Sequence, residues 1–135
     1  MEVRIKATPP YERRVGEILT AAERKALEDE IAGNPERWPT VAGTGGARKA
    51  RVKREGTGKS GGPRAIYYFH VLGRVIYMLT IYEKGEKDDL SPEDKKALTT
   101  VATQIKTYED ALVEAAKKKA QQEREQQKRK GGKRK

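Results

Sequence analysis

At 135 residues, with 35% hydrophobic and 37% charged side chains, the chain has room for one small domain with a strongly polar appendage rather than for two domains. The absence of cysteine excludes disulfides and thiolate–zinc sites, and a single histidine excludes a His-rich metal centre. No apolar run approaches the roughly 20 residues needed to cross a bilayer, and no signal-peptide pattern opens the sequence, so the chain reads as cytoplasmic with no membrane partner. The formal charge of +10 is unevenly spread: Lys117 to Lys135 holds 10 Lys/Arg against 2 Asp/Glu, whereas the first 116 residues hold 20 against 18. Within that body, Ala47 to Arg64 carries 7 basic residues and one acid. Two such concentrations point to a polyanionic partner, and nucleic acid is the usual one.

Val3-Arg4-Ile5-Lys6-Ala7 alternates apolar and charged residues as a half-buried strand does, and Pro9-Pro10 ends it. From Tyr11 the period becomes helical, with Val15, Ile18, Leu19 and Ala22 on one face. Thr20-Ala21-Ala22-Glu23 has the form of a capping box, which starts a second helix with Leu27 and Ile31 as its buried stripe. Gly33-Asn34-Pro35 stops it. The pair is a helical hairpin packed on a sheet, and Trp38 in the connector after it plugs the edge of a core.

From Ala47 the chain alternates again. Lys49, Arg51 and Lys53 point to one side, and Ala50 and Val52 point to the other with Arg48 and Arg54. Arg64 to His70 and Arg74 to Tyr82 are dense in β-branched and aromatic residues and form a hairpin around Leu72-Gly73. The second is apolar at nearly every position, as a central strand covered on both faces would be. Ser91-Pro92-Glu93-Asp94 is a helix start, with Leu98, Val101, Ala102 and Ile105 as the stripe that follows. Beyond Tyr108 the stripe thins, and from Lys117 the composition predicts a solvated helix fraying into disorder.

Gly56-Thr57-Gly58-Lys59-Ser60 has the look of a P-loop end, but the first glycine of that motif would fall on Lys53 and a strand follows rather than a helix. Nucleotide hydrolysis is rejected, and the segment reads as a mobile basic loop. His70 ends a strand among aromatics and reads as structural. Of Tyr67, Tyr68 and Phe69, most belong to a core and one at most faces a ligand. The ladder Lys49, Arg51 and Lys53 on a strand read as interior is a costly way to stay soluble. With Arg64, Lys84 and Lys87 it forms a cluster suited to binding phosphate; the competing reading is a charged edge that discourages aggregation.

The runs Gly43-Thr44-Gly45-Gly46-Ala47-Arg48-Lys49-Ala50-Arg51, then Gly58-Lys59-Ser60-Gly61-Gly62-Pro63-Arg64-Ala65-Ile66-Tyr67-Tyr68, then Tyr82-Glu83-Lys84-Gly85-Glu86-Lys87-Asp88-Asp89-Leu90-Ser91 resemble the HigB-like branch of the RelE/ParE toxin superfamily. The resemblance spans roughly Val3 to Lys106, so residues 1–106 read as the toxin domain and 107–135 as a basic extension. It implies a small α+β RelE-like fold: an N-terminal strand, a helical hairpin, a three-stranded antiparallel run and a C-terminal helix. It also implies a ribosome-dependent mRNA endonuclease that needs no cofactor or metal and is held inactive by a cognate antitoxin. In this branch the antitoxin is often a helix-turn-helix HigA-like protein, and operator DNA is met only through it.

By matched position the resemblance puts Lys49, Arg51, Arg64, Lys84 and Lys87 in the catalytic cluster. Arg51 and Arg64 would take the scissile phosphate, with Lys49 and Lys84 for proton transfer or charge stabilisation. Arg48, Lys53, Arg54 and Lys59 are the further RNA-binding candidates. Where better-known relatives carry a catalytic tyrosine this chain has Leu90-Ser91, and where an arginine is common it has Gly85, so Tyr82 and Tyr68 are the possible acid or base in its place. Two other readings stand beside the nuclease: a ParE-like poison of DNA gyrase or topoisomerase, and a catalytically inactive nucleic-acid-binding module.

Overall fold

The computed structural model describes residues 2–54, 62–86 and 89–132, the side chains of 131 and 132 excepted. The alternating residues near the start form β1 (Arg4–Ala7). Pro9 and Pro10 then open α1 (Pro9–Ile18), where their fixed φ and missing N–H carry no penalty. Thr20 caps α2 (Ala21–Gly33): its hydroxyl accepts from the Glu23 N–H at 3.1 Å, and the Glu23 carboxylate accepts from the Thr20 N–H at 2.8 Å. That is the reciprocal box the sequence spells. Next come β2 (Arg48–Arg51), β3 (Arg64–His70), β4 (Val75–Tyr82) and α3 (Pro92–Gly132). The architecture is α+β in the element order read from the sequence.

The sheet has the order β1-β4-β3-β2, with β1 parallel to β4 and the other pairs antiparallel. β4 is therefore central, which its buried Ile76, Met78, Leu79 and Ile81 require. A register shift lies between Ile66 and Tyr67, so that Ile66 faces Thr80 while Tyr67 faces Met78. The extra residue resets the alternation of β4. Met78 and Ile81 face the helical hairpin, with Tyr11, Val15, Leu27, Ile31, Tyr67 and Ile76. Leu79 and Tyr82 face α3, with Ala47, Ile66, Leu90, Leu98 and Ile105.

One expectation is corrected here. β2 is an edge strand, not an interior one. The most apolar strand takes the centre, β1 closes its outer side, and the charged strand is left where only one neighbour is needed.

Gly43, Gly45 and Gly46 all have positive φ and turn the chain into β2. Gly45 matters for packing as well: a Cβ there would lie 3.3 Å from both the Thr99 Cα and the Ala102 Cβ of α3. The Thr99 hydroxyl fastens the same turn by donating to the Gly43 carbonyl at 2.9 Å.

α3 is 41 residues long and runs through position 106 without a break, a length of about 60 Å at 1.5 Å per residue. Glu109, only 1% exposed, still contacts the sheet, accepting from the Tyr77 hydroxyl at 2.5 Å and pairing with Lys6 at 3.7 Å. Past Val113 the helix projects beyond the sheet with nearly every residue exposed. Composition suggested fraying, yet the helix persists to Gly132. Ala, Lys, Gln, Glu and Arg are all strong helix formers, and extension from a packed segment needs no new nucleus. Arg129 and Lys130 in the last turn also suit the negative end of the helix dipole. Among the described residues no helix is long and apolar enough to cross a membrane.

Candidate nucleic-acid interface

The antiparallel register aligns three of the candidate side chains in one row. Arg51 of β2 is opposite Arg64 of β3, and Arg64 is opposite Tyr82 of β4. Cross-strand partners share a face and neighbouring strands lie about 4.8 Å apart. The row therefore runs across the α3 face of the sheet, just beyond the start of α3. Exposure falls along it: Arg51 is exposed, Arg64 half-buried and Tyr82 buried. Lys49 lies two residues along β2 on the same face, 3.5 Å from the Asp89 carboxylate that precedes α3.

Two guanidinium groups side by side repel unless an anion bridges them, and their planar forks suit a phosphate. Edge protection accounts for Lys49 and Arg51, but Arg64 is on an interior strand and that explanation does not reach it. The Arg64 head is held by the Gly62 carbonyl at 2.6 Å. Among the described residues no hydrogen bond or ion pair engages the Arg51 head.

Burial pushes the Tyr82 phenol above its usual value, Asp89 adds to this, and Arg64 opposes it. Tyr82 is thus a neutral phenol beside a cation, with its hydroxyl oxygen shielded from solvent. Asp89 is held below the usual carboxylate range, first by the Leu90 N–H and then by Lys49 and Lys95. Lys95 was missed in the sequence. It sits one turn inside α3, with its chain against Gly43, and the Ser91 cap is the only sequence signal that brings it here.

The other candidates are dispersed. Arg48 and Arg54 are on the opposite face. Arg48 donates to the Trp38 carbonyl at 2.6 Å and pairs with Glu36 at 3.9 Å. Arg54 donates to the Glu83 carboxylate at 2.5 Å and to the Ile18 carbonyl at 3.3 Å. Both act there as clamps between the sheet and its flanks. Lys53 and Lys84 are exposed at the strand ends near the row. Lys59, with the basic loop around it, and Lys87 lie outside the described residues. Tyr68 shares the face of Arg64 but is four residues away, about 13 Å along the strand. Burial raises its phenol too, with Lys106 opposing. One phosphate cannot reach both tyrosines.

His70 ends β3 at the far side from Arg64. The Gly73 N–H donates to its Nδ1 at 2.9 Å and its Nε2 is 2.7 Å from Asp110, so a neutral ring carries its proton on Nε2. It fastens α3 to the β3–β4 turn. Trp38 packs on the hairpin-side core with Arg37 over its ring at 4.8 Å.

The row depends on a close approach at the open end of the β2–β3 pair. The Val52 N–H donates to the Pro63 carbonyl at 2.9 Å, and a Cβ on Gly62 would meet the Val52 oxygen at 2.2 Å. Gly62→Ala is expected to push the strands apart and destabilise the protein by about 1–3 kcal/mol. Urea denaturation measures it, and a midpoint equal to wild type would contradict the close approach.

Residues 40–124 match the family described as the RelE toxin of the RelE/RelB toxin–antitoxin system. Two solved structures are similar. One is Escherichia coli toxin RelE, a double arginine-to-alanine mutant in the free state. It is 14% identical with a TM-score of 0.48, over 65% of this chain and 90% of that one. The other is the archaeal RelE–RelB complex from Pyrococcus horikoshii OT3, 23% identical with a TM-score of 0.44, over 64% of this chain and all of that one.

Proposed function

Because the chain belongs to the RelE toxin family of toxin–antitoxin systems, we propose that it is a ribosome-dependent mRNA endonuclease of the HigB-like branch, acting in the cytoplasm and held inactive by a cognate antitoxin. The observation that carries this reading is the Arg51–Arg64–Tyr82 row. It offers two phosphate-binding forks and a buried phenol in register on one face of the sheet.

In this reading the 2′-hydroxyl of the preceding nucleotide attacks the scissile phosphorus, so RNA is cut and DNA is spared. The attacking hydroxyl loses a proton, and a pentavalent phosphorane forms. The P–O5′ bond then breaks to leave a 2′,3′-cyclic phosphate and a 5′-hydroxyl. Arg51 and Arg64 neutralise the charge that grows on the equatorial oxygens, and Lys49, held by Asp89, adds an ammonium beside them. Tyr82 gives its proton to the departing 5′-oxygen. With Lys49 engaged as that ammonium, Lys84 acts as the amine base that accepts the proton of the 2′-hydroxyl.

Tyr82→Phe is expected to lower ribosome-dependent cleavage about 100-fold or more, whereas Tyr68→Phe changes it less than about threefold, since Tyr68 is out of reach. Cleavage of a defined mRNA on purified ribosomes tests both. A general acid must be protonated, and the Tyr82 phenol lies above the ordinary tyrosine value. Loss of this acid on raising the pH is therefore displaced upward from where an ordinary tyrosine would ionise. Equal activity of Tyr82→Phe and wild type would remove Tyr82 from the mechanism.

A further inference from the structure

We propose that the projecting part of α3, residues 117–130, is a second nucleic-acid contact that grips the phosphate backbone of a duplex through one stripe of cations. Lys117, Gln121, Arg124 and Lys128 recur at i, i+4, i+7 and i+11 and so share one helical face. Of the two carboxylates of the segment, Glu123 falls on the far side of the helix, whereas Glu125 flanks the stripe three residues before Lys128. The stripe is about 16 Å long, enough to meet several successive phosphates of a strand.

The stripe does not stand alone. Between the projecting helix and the Leu72-Gly73 turn lies an open groove, with Lys117 and Arg124 on the helix side, Arg4 of β1 on the sheet side, and Leu72, Leu112, Val113 and the buried Glu109 at its base. A backbone lying in it would meet cations from two directions. Lys117 has an exposed partner in Glu114 at 3.6 Å, a weak pair that a phosphate can displace.

The composition of the stripe itself, as distinct from the apolar groove base, argues against a protein partner there. From Glu114 to Lys130 the only apolar side chain is alanine, and a stable protein interface needs larger apolar or aromatic residues at its centre. The contact is also remote from the Arg51–Arg64–Tyr82 row. Along α3, Lys117 is about 37 Å from Pro92. The two surfaces therefore engage different stretches of nucleic acid, or different molecules.

The test is binding of the full chain to a labelled 16-base-pair RNA hairpin across a salt series. It compares the stripe variant Lys117→Gln/Arg124→Gln/Lys128→Gln with a control that removes the same charge elsewhere, Lys118→Gln/Lys119→Gln/Arg129→Gln. Glutamine keeps helix propensity, and circular dichroism confirms that the helix is retained. The stripe variant is expected to flatten the slope of log affinity against log salt by about 2–3 and to weaken low-salt binding at least tenfold. The control should lose less than half as much.

A DNA hairpin of the same sequence separates the two sources of phosphate. Loss on RNA alone, or on both, supports the backbone contact and names the duplex it takes. An unchanged slope overturns the proposal, as do equal losses in the two variants. Loss confined to poly-glutamate, with none on either duplex, would overturn it in favour of an acidic protein surface. Naked duplexes need neither ribosome nor cleavage, so failure here leaves the nuclease reading untouched.

Discussion

Alanine at Arg64 should abolish in-frame cutting of translated mRNA while leaving the fold intact. Arg64 is the one cation of the site on an interior strand, between Arg51 and Tyr82 in the same row. Its head is already fixed by the Gly62 carbonyl, so it would reach the transition state with little further ordering. Removing one such preorganised donor typically costs 100- to 1,000-fold, about 3–4 kcal/mol of transition-state stabilisation. Arg64→Lys keeps the charge but loses the fork and should retain a fraction of activity. Mapping the 5′ ends of cellular mRNA after induction reads the result directly. Cuts in wild type that vanish in Arg64→Ala, with thermal stability unchanged, support the nuclease. Growth arrest without cuts in wild type would point to a topoisomerase poison, and neither arrest nor cuts to a binding module without activity.

The elements of the fold were largely legible because each has a local cause. Thr20 with Glu23 and Ser91 with Asp94 each announce a helix start, and each forms its reciprocal pair. The near-continuous apolar run of β4 announces a central strand, and the alternation at Lys49 to Lys53 correctly separates Arg48 and Arg54 from Lys49 and Arg51. Strand order was less legible, since charge on β2 is compatible with either an edge or a functional interior. The register shift at Ile66/Tyr67 has no signature in the residues, yet it sets which β4 side chains meet α3. The clamps Arg48–Glu36 and Arg54–Glu83 join residues 12 and 29 positions apart, a distance no pattern rule spans. Lys95 and Asp89 became visible as neighbours only once the cap of α3 was placed against the end of β4.

Tyr67→Ala should be among the most destabilising single substitutions. The three consecutive aromatics Tyr67, Tyr68 and Phe69 look alike in sequence, but their surroundings differ. Tyr67 is fully buried, among Ile76, Met78 and Ile31 in the hairpin-side core, and its hydroxyl donates to the Pro35 carbonyl at 2.7 Å. Burial pushes its phenol up to about 12, so the bond to Pro35 is kept throughout the ordinary pH range. Through it β3 is tied to the connector that carries Trp38, which in turn receives Arg48 of β2. Truncation would open a ring-sized cavity and leave a carbonyl without its donor, at about 3–5 kcal/mol, against a total stability of about 5–15 kcal/mol for a domain of this kind. Tyr67→Phe removes only the hydrogen bond and should cost about 1 kcal/mol. Tyr68→Ala, at a half-buried position, should fall between them. Urea midpoints at constant slope rank the three. If Tyr68→Ala proved more damaging than Tyr67→Ala, the assignment of the two faces of β3 would be reversed, and with it the placement of Arg64 beside Arg51 and Tyr82.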